Sequence, residues 1–305
     1  MTIPQLAVAL AAILASAAPL IFATMGETLG ERAGVINLSL DGTMLLSAMA
    51  GFAAGLHSGN VVVGFLVAAL VGMLVALVLC VLSISLRQSQ TAVGFVLALL
   101  CTNLSSFLGN PYVRVPGVSL GPAPIPLLRD IPLVGTILFS HDMVIYASFV
   151  LVPVLWWLLF HTRTGLVIRA LGERPDAAFA RGVNVIAWRY ACVLLGGALI
   201  GLAGAAYSLD LKRGWSHNHI AGLGWISLAI VIFGGWNPWR VALGCYLFSF
   251  LNTLATSLQS TLTWLPTQVF QVAPFVLMIG VLALVSQRST FSRVPAALGK
   301  TWEKP

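Results

Sequence analysis

Long apolar runs separated by short polar joints fill this chain. Nine runs stand out, at about 3–24, 42–56, 61–86, 91–109, 142–161, 190–209, 223–236, 240–257 and 268–287. A hydrocarbon core of about 30 Å needs about 20 apolar residues of helix, and several of these runs qualify. Neither Gln88–Val113 nor Val241–Gln287 contains a single Asp, Glu, Lys, Arg or His. The pattern predicts an all-α, polytopic membrane protein of about 8–10 transmembrane helices, a single domain over 1–305. The second and seventh runs are short for a full crossing and are expected to be half-helices or parts of broken ones.

Composition agrees. Only 8% of the residues are charged and 59% are hydrophobic, against about 25% charged in a soluble domain. The N-terminal run carries no Lys or Arg before Arg32, so it lacks the basic start of a signal peptide and is read as a span. In a soluble protein the net charge of +7 would suggest nucleic acid. Here it reports topology, because Lys and Arg gather in cytoplasmic loops, and no nucleic-acid partner is expected. With the C-terminus cytoplasmic, twelve of the basic residues fall on that side. Arg114, Arg129, Lys212 and Arg213 are left outside. Nine crossings then put the N-terminus outside.

In this orientation 110–141 is an extracytoplasmic loop, 162–189 a cytoplasmic segment and 288–305 a cytoplasmic tail. The loop holds Pro111, Pro116, Pro122, Pro124, Pro126 and Pro132, so it cannot form one helix. A weak echo links "GVINLSL" (34–40) with "GWISLAI" (224–230), on opposite sides of the membrane. That is the arrangement of an inverted repeat, whose interface is where transport pathways lie.

The spans hold Asn103, Ser105, Ser106, Asn252, Thr253, Gln259, Gln268 and Gln271, which serve equally as helix–helix glue or as pathway lining. Glu27, Glu31, Asp41, Asp142 and Asp210 sit at or beyond the expected ends. A gradient-driven carrier usually needs an ionisable group within the bilayer, so their placement argues against one and for a neutral solute moved by energy from elsewhere. No nucleophile–base pair, metal-ligand spacing or P-loop occurs. The four cysteines are isolated in apolar runs and read as core residues. The chain is therefore expected to be no enzyme, with no metal and no cofactor of its own. If ATP drives it, a partner holds the ATP.

One stretch breaks the apolar monotony: "GERPDAAFARGVNV" (172–185). Pro175 suits a first helical turn, Asp176 adds negative charge there, and Arg181 and Gly182 close the helix. About two turns are too few to stand alone. Ala177, Ala178 and Phe179 are thus expected to lie in a groove of a soluble partner, with Arg181 pairing an acid; an ordinary interfacial loop helix is the alternative.

The longer stretch "RTGLVIRALGERPDAAFARGVNV" (163–185) resembles the coupling segment of ABC importer permeases of the branched-chain amino acid, ribose and nucleoside group. Gly165, Arg169, Ala170, Gly172, Glu173, Pro175, Ala177, Ala178, Gly182, Val183, Asn184 and Val185 match its pattern. "GERAGVINLSLDGTM" (30–44), "IPLVGTILF" with Tyr146, and "GWISLAIVIFGGWNP" (224–238) resemble the nucleoside and simple-sugar branch. Ser39 and Asp41 depart from that branch, which has Gly and Glu there. The resemblance implies a permease subunit importing nucleosides or related sugar-like solutes. It also implies a second, different permease subunit, an ABC ATPase and an extracytoplasmic substrate-binding protein as partners. Arg169, Gly172, Glu173, Pro175, Asp176, Ala177, Ala178, Arg181 and Gly182 would couple to the ATPase. Asn37, Asp41, Trp225 and Ser227 are the expected pathway positions. A branched-chain amino acid or ribose permease, and an ion-gradient-driven carrier, are the alternatives.

Overall fold

A computed structural model describes residues 3–118, 121, 123, 134–220, 222–262, 264, 266–286 and 294–302. Among them the first half of the chain forms α1 (Ile3–Arg32), α2 (Leu40–Ser58), α3 (Val61–Cys80), α4 (Gln90–Gly109), α5 (Val134–Leu138) and α6 (Met143–His161). The second half forms α7 (Arg163–Glu173), α8 (Pro175–Ala180), α9 (Val185–Ala205), α10 (Leu223–Phe233), α11 (Pro238–Thr261) and α12 (Thr267–Ser286). π-turns prolong α3 to Ser85 and α9 to Leu211. No strand occurs among the described residues, only isolated bridges at 113–116 and 214–215.

Six of these segments are long and apolar enough to cross a membrane: those beginning at Leu6, Val61, Gln90, Met143, Val185 and Pro238. Between them lie α2 and α10, and α12 follows the last. The second apolar run is longer than its hydrophobicity predicts, 19 residues, because Asp41 joins the helix instead of ending it. The seventh is short, 11 residues, or about 16 Å of helix. The first run also extends, from 24 to 32, taking Glu27 and Glu31 inside α1.

α1 and α9 cross at the centre. A Cβ on Gly26 would overlap the Gly196 carbonyl oxygen, and one on Gly196 the Gly26 carbonyl oxygen. Two reciprocal glycines let the backbones touch, which is how helices gain packing where lipid supplies no hydrophobic drive. α3 and α2 pack on α9, while α11, α6 and α10 pack on α1. Their apolar cores centre on Ile21, Met25 and Trp236 on one side, and on Phe52, Leu79 and Leu209 on the other.

Backbone contacts sort the joints into two faces. Gly172 and Gly34 receive hydrogen bonds from Ala297 and Gly299, so 32–36, 172 and the C-terminal segment share one face. On the opposite face Gly117 bonds Arg213 and His57 bonds Tyr112. The order long helix, re-entrant loop, helix from mid-depth and two further helices is followed by α1–α4 and, upside down, by α9–α12. The inverted arrangement is thus in the topology. The echo itself is out of register: 34–40 forms the loop ahead of α2, whereas 224–230 lies inside α10. Pro122, Pro124, Pro126, Pro132, Arg129, Arg288 and Arg293 lie outside the described residues.

Candidate functional site: a polar junction at mid-depth and a two-helix segment at one face

The loop after α1 folds back into the bundle. Asn37 N–H donates to Glu27 Oε1 at 3.1 Å, five residues back along α1, and Leu40 lies in one core cluster with Phe22 and Ala23. Ten residues of helix are about 15 Å, half of a hydrocarbon core of about 30 Å, so α2 begins near mid-depth. Asn37 Oδ1 accepts from the Ser39 N–H at 3.0 Å and from the Ser39 hydroxyl, which also meets Thr43 at 3.0 Å.

The loop after α9 returns to the same depth from the other face. There Asp41 Oδ1 accepts the N–H groups of Gly222 and Gly224, both at 2.9 Å. These are orphan donors of the first turn of α10, and a carboxylate is the group that a helix N-terminus favours. A Cβ on Gly224 would overlap the Asp41 backbone, so glycine admits the carboxylate. Trp225, one residue on, is 40% exposed, and its ring stands 6.3 Å from that of Phe95 on α4. Two aromatic faces therefore edge a carboxylate-capped half-helix at mid-depth.

Of the expected pathway positions, Asp41 and Trp225 come together. Asn37 is buried and holds the α2 loop. Ser227 is fully buried and its hydroxyl donates to Leu223 O at 2.7 Å. Phe95 was not legible as a partner of Trp225, since it sits in an unbroken apolar run.

The acidic residues are a correction. Glu27 and Glu31 do not lie beyond the first span but within it, each about 1% exposed. They are satisfied by chain groups: Glu27 by the Asn37 N–H, and Glu31 by the Trp236 indole N–H. Beside them Arg32 Nε and Nη2 donate to Trp236 O and Gly235 O, at 3.1 and 3.3 Å. Buried charges survive when paired and hydrogen-bonded, and these tie the end of α10 to the end of α1. Asp41 and Asp210 likewise lie within helical segments.

At the face that carries the C-terminal segment, α7 and α8 make a lid under the bundle. Thr162 caps α7, its Oγ1 accepting the Gly165 N–H at 3.0 Å. Arg169 and Arg32 both lie over the Phe160 ring, at 5.2 and 5.6 Å. Gly172 is buried against the Arg32 carbonyl. Pro175 opens α8 as the sequence predicts, and Gly182 closes it at φ +82°. Ala178 is buried with Leu171 and Val185. Glu173, Asp176, Ala177, Ala180 and Arg181 face outward. Phe179 packs on Trp302 instead, ring centroids 5.6 Å apart, and Trp302 Nε1 donates to Asp176 Oδ1 at 2.7 Å. The tail contact was missed, its one signal being an aromatic in a polar terminus. Among the described residues no group of three His, Cys, Asp or Glu side chains is arranged to hold a metal ion.

A bundle of membrane-crossing helices with re-entrant loops meeting at mid-depth, and amphipathic helices at one face, defines a transport subunit rather than an enzyme. The chain belongs to the branched-chain amino acid transport system / permease component family, whose pattern matches residues 9–282. It is a multi-pass membrane permease of an ABC importer, a system in which ATP is used by a separate ATPase subunit. It is 35% identical to the nucleoside ABC transporter permease protein NupC of Lactococcus lactis, covering 87% of this chain and 88% of NupC. It is 34% identical to TsgC13 of Haloferax volcanii, provisionally named a glucose ABC transporter permease protein, over 95% of each chain. To the guanosine ABC transporter permease protein NupQ of Bacillus subtilis it is 32% identical over 90% of each.

Proposed function

We propose that this permease imports nucleosides, with related sugar-like solutes as the neighbouring class, as one half of a pair of unlike permease subunits. The observation that carries the reading is the junction at mid-depth, where Trp225 and Phe95 present exposed rings beside the carboxylate-capped start of α10. A nucleobase offers a planar face to stack on such rings, and its ribose offers hydroxyls to the polar edge. The second subunit would close the pathway against this exposed side. Relatives named for nucleosides and guanosine support the substrate class.

The face of α7, α8 and the C-terminal segment is the cytoplasmic one. Arg32, Arg87, Arg163, Arg169, Arg174, Arg181, Arg189, Arg240 and Lys300 collect there, against Arg114, Lys212 and Arg213 opposite, which is the sense of the positive-inside rule. On it Asp176, Ala177, Ala180 and Arg181 form the surface that an ATPase would grip, with Arg169, Gly172, Glu173, Pro175, Ala178 and Gly182 shaping it. Closure of the ATPases pushes α8, and α7 passes the push to α1 through Gly172 and Arg32. A substrate-binding protein delivers solute at the opposite face, near 110–118 and 212–219.

Uptake of labelled nucleosides by cells carrying Trp225→Ala, with the partner subunits present, tests this. Uptake is expected to fall about tenfold or more, as loss of a base–aromatic stack of about 1–3 kcal/mol implies, and Trp225→Phe is expected to restore most of it. Full uptake in the alanine variant would remove the aromatic edge from the pathway. A sugar reading is favoured by the name of TsgC13; competition by free glucose but not by nucleosides would establish it.

A further inference from the structure

Arg189, in the second turn of α9, is 2% exposed, and its Nε and Nη2 have no hydrogen-bond partner. A buried guanidinium always carries its charge, and leaving it uncompensated costs several kcal/mol. Arg32, the neighbouring buried arginine, shows the usual solution, two backbone carbonyls. The Nε and Nη2 of Arg189 meet no such carbonyls. Gly34 makes the room, since a Cβ there would stand 3.0 Å from Nη2.

Arg189 lines a cleft of about 460 Å³ between α8, α9 and the C-terminal segment. Arg174 and Lys300 stand exposed on its rim beside Thr301. Glu173 and Asp176 also line it, and Asp176 Oδ1 is occupied by the Trp302 indole. Three cations and two carboxylates therefore line the cleft, a net positive charge, and the most buried cation, Arg189, has no hydrogen-bond partner on Nε or Nη2.

We propose that this cleft is a binding site for a phosphate group, held by Arg189 from within and by Arg174 and Lys300 at the rim. A guanidinium fork matches two phosphate oxygens, and the cations of the lining outnumber its carboxylates. The same chemistry comes from a free phosphate compound or from an anionic lipid headgroup. The site abuts α8, so its occupancy would set how firmly the segment 294–302 holds that helix.

Inorganic phosphate is titrated, by calorimetry, into the full chain in phosphatidylcholine nanodiscs. Lipids retained by the chain in phosphatidylglycerol nanodiscs are weighed by native mass spectrometry. Saturable phosphate binding at one site, weakened about tenfold or more by Arg189→Gln, supports the free-anion source. Phosphatidylglycerol retained by the wild type and lost in Arg189→Gln supports the lipid source. Thermal unfolding shows whether Arg189→Gln is folded; if it is not, the exposed pair Arg174→Gln with Lys300→Gln decides, and Arg240→Gln, outside the cleft, serves as control. Neither phosphate nor phosphatidylglycerol bound, or binding unchanged when the cleft cations are removed, overturns the proposal.

Discussion

Asp41 stands at the meeting point of two broken segments, and its chemistry is sharper than its position in the sequence suggests. Its carboxylate accepts two amides of α10, bonds to an ionised acceptor being worth about 1.5–3 kcal/mol each. Asp41→Asn keeps the shape but turns a donor toward those N–H groups when the amide flips, and it removes the charge that faces the helix N-terminus. Uptake is expected to fall about tenfold, with a small drop in thermal stability; full activity in both measurements would reduce Asp41 to a packing residue. His219 gives a second prediction at this scale. It lies in the 212–222 loop, between Tyr207 and Trp215, and Nδ1 is 2.6 Å from Ser216 O. Burial holds its pKa down to about 4, with Lys212 acting in the same sense and the Ser216 bond against it. The unfolded chain then binds more protons than the folded one from about pH 6.5 down to about 4. The stability that a neutral His219 contributes is present above that window and is lost as pH falls through it. His219→Phe is expected to flatten that part of the unfolding-temperature profile; an unchanged slope would assign it to another group.

Among the elements, α8 was legible almost residue by residue, because its start and stop rest on local chemistry: proline first, aspartate in the first turn, glycine at positive φ last. Which face it turns inward was not legible. Ala178 is buried by Leu171 and Val185, and Phe179 by a tryptophan more than a hundred residues on, contacts that no window over six residues contains. Of the expected partner-facing set, Glu173, Asp176, Ala177, Arg181 and Gly182 stand exposed, and Ala180 joins them. Arg181→Glu is expected to abolish uptake while expression and affinity for the substrate-binding protein stay at wild-type levels; retained uptake would take the lever role from α8. Gly182→Ala meets no neighbour within 4 Å, so only the left-handed backbone is strained, at about 1 kcal/mol. It should lower the coupling of uptake to ATP hydrolysis by a few-fold without unfolding the chain, as a ratio of the two rates measures.

Over the whole molecule, the apolar runs located each of the six long apolar segments among the described residues, since the need for about 20 apolar residues is a one-dimensional rule. They misplaced the ends of α1 and α2 for a single reason. Glu27, Glu31 and Asp41 look like terminators in sequence, and they are inside because Asn37, Trp236, Gly222 and Gly224 supply their hydrogen bonds from elsewhere in the chain. Those bonds also answer the case against charged groups within the bilayer. The carboxylates fasten broken helices, and a transport system driven by ATP asks no proton relay of them. In the same way the inverted order of α1–α4 and α9–α12 is a property of chain direction, which survives even where the 34–40 and 224–230 echo falls out of register.

In the proposed function, ATP hydrolysis by the partner ATPase is received at α8 and becomes movement of a nucleoside past Asp41 and Trp225. Its most direct test is uptake of a labelled nucleoside into proteoliposomes holding the full complex with its substrate-binding protein, with ATP supplied only on the ATPase side. Accumulation is expected to require ATP, to stop with a hydrolysis-dead ATPase, and to be lost in both Arg181→Glu and Trp225→Ala. Accumulation without ATP, driven by an ion gradient alone, would contradict the proposed function.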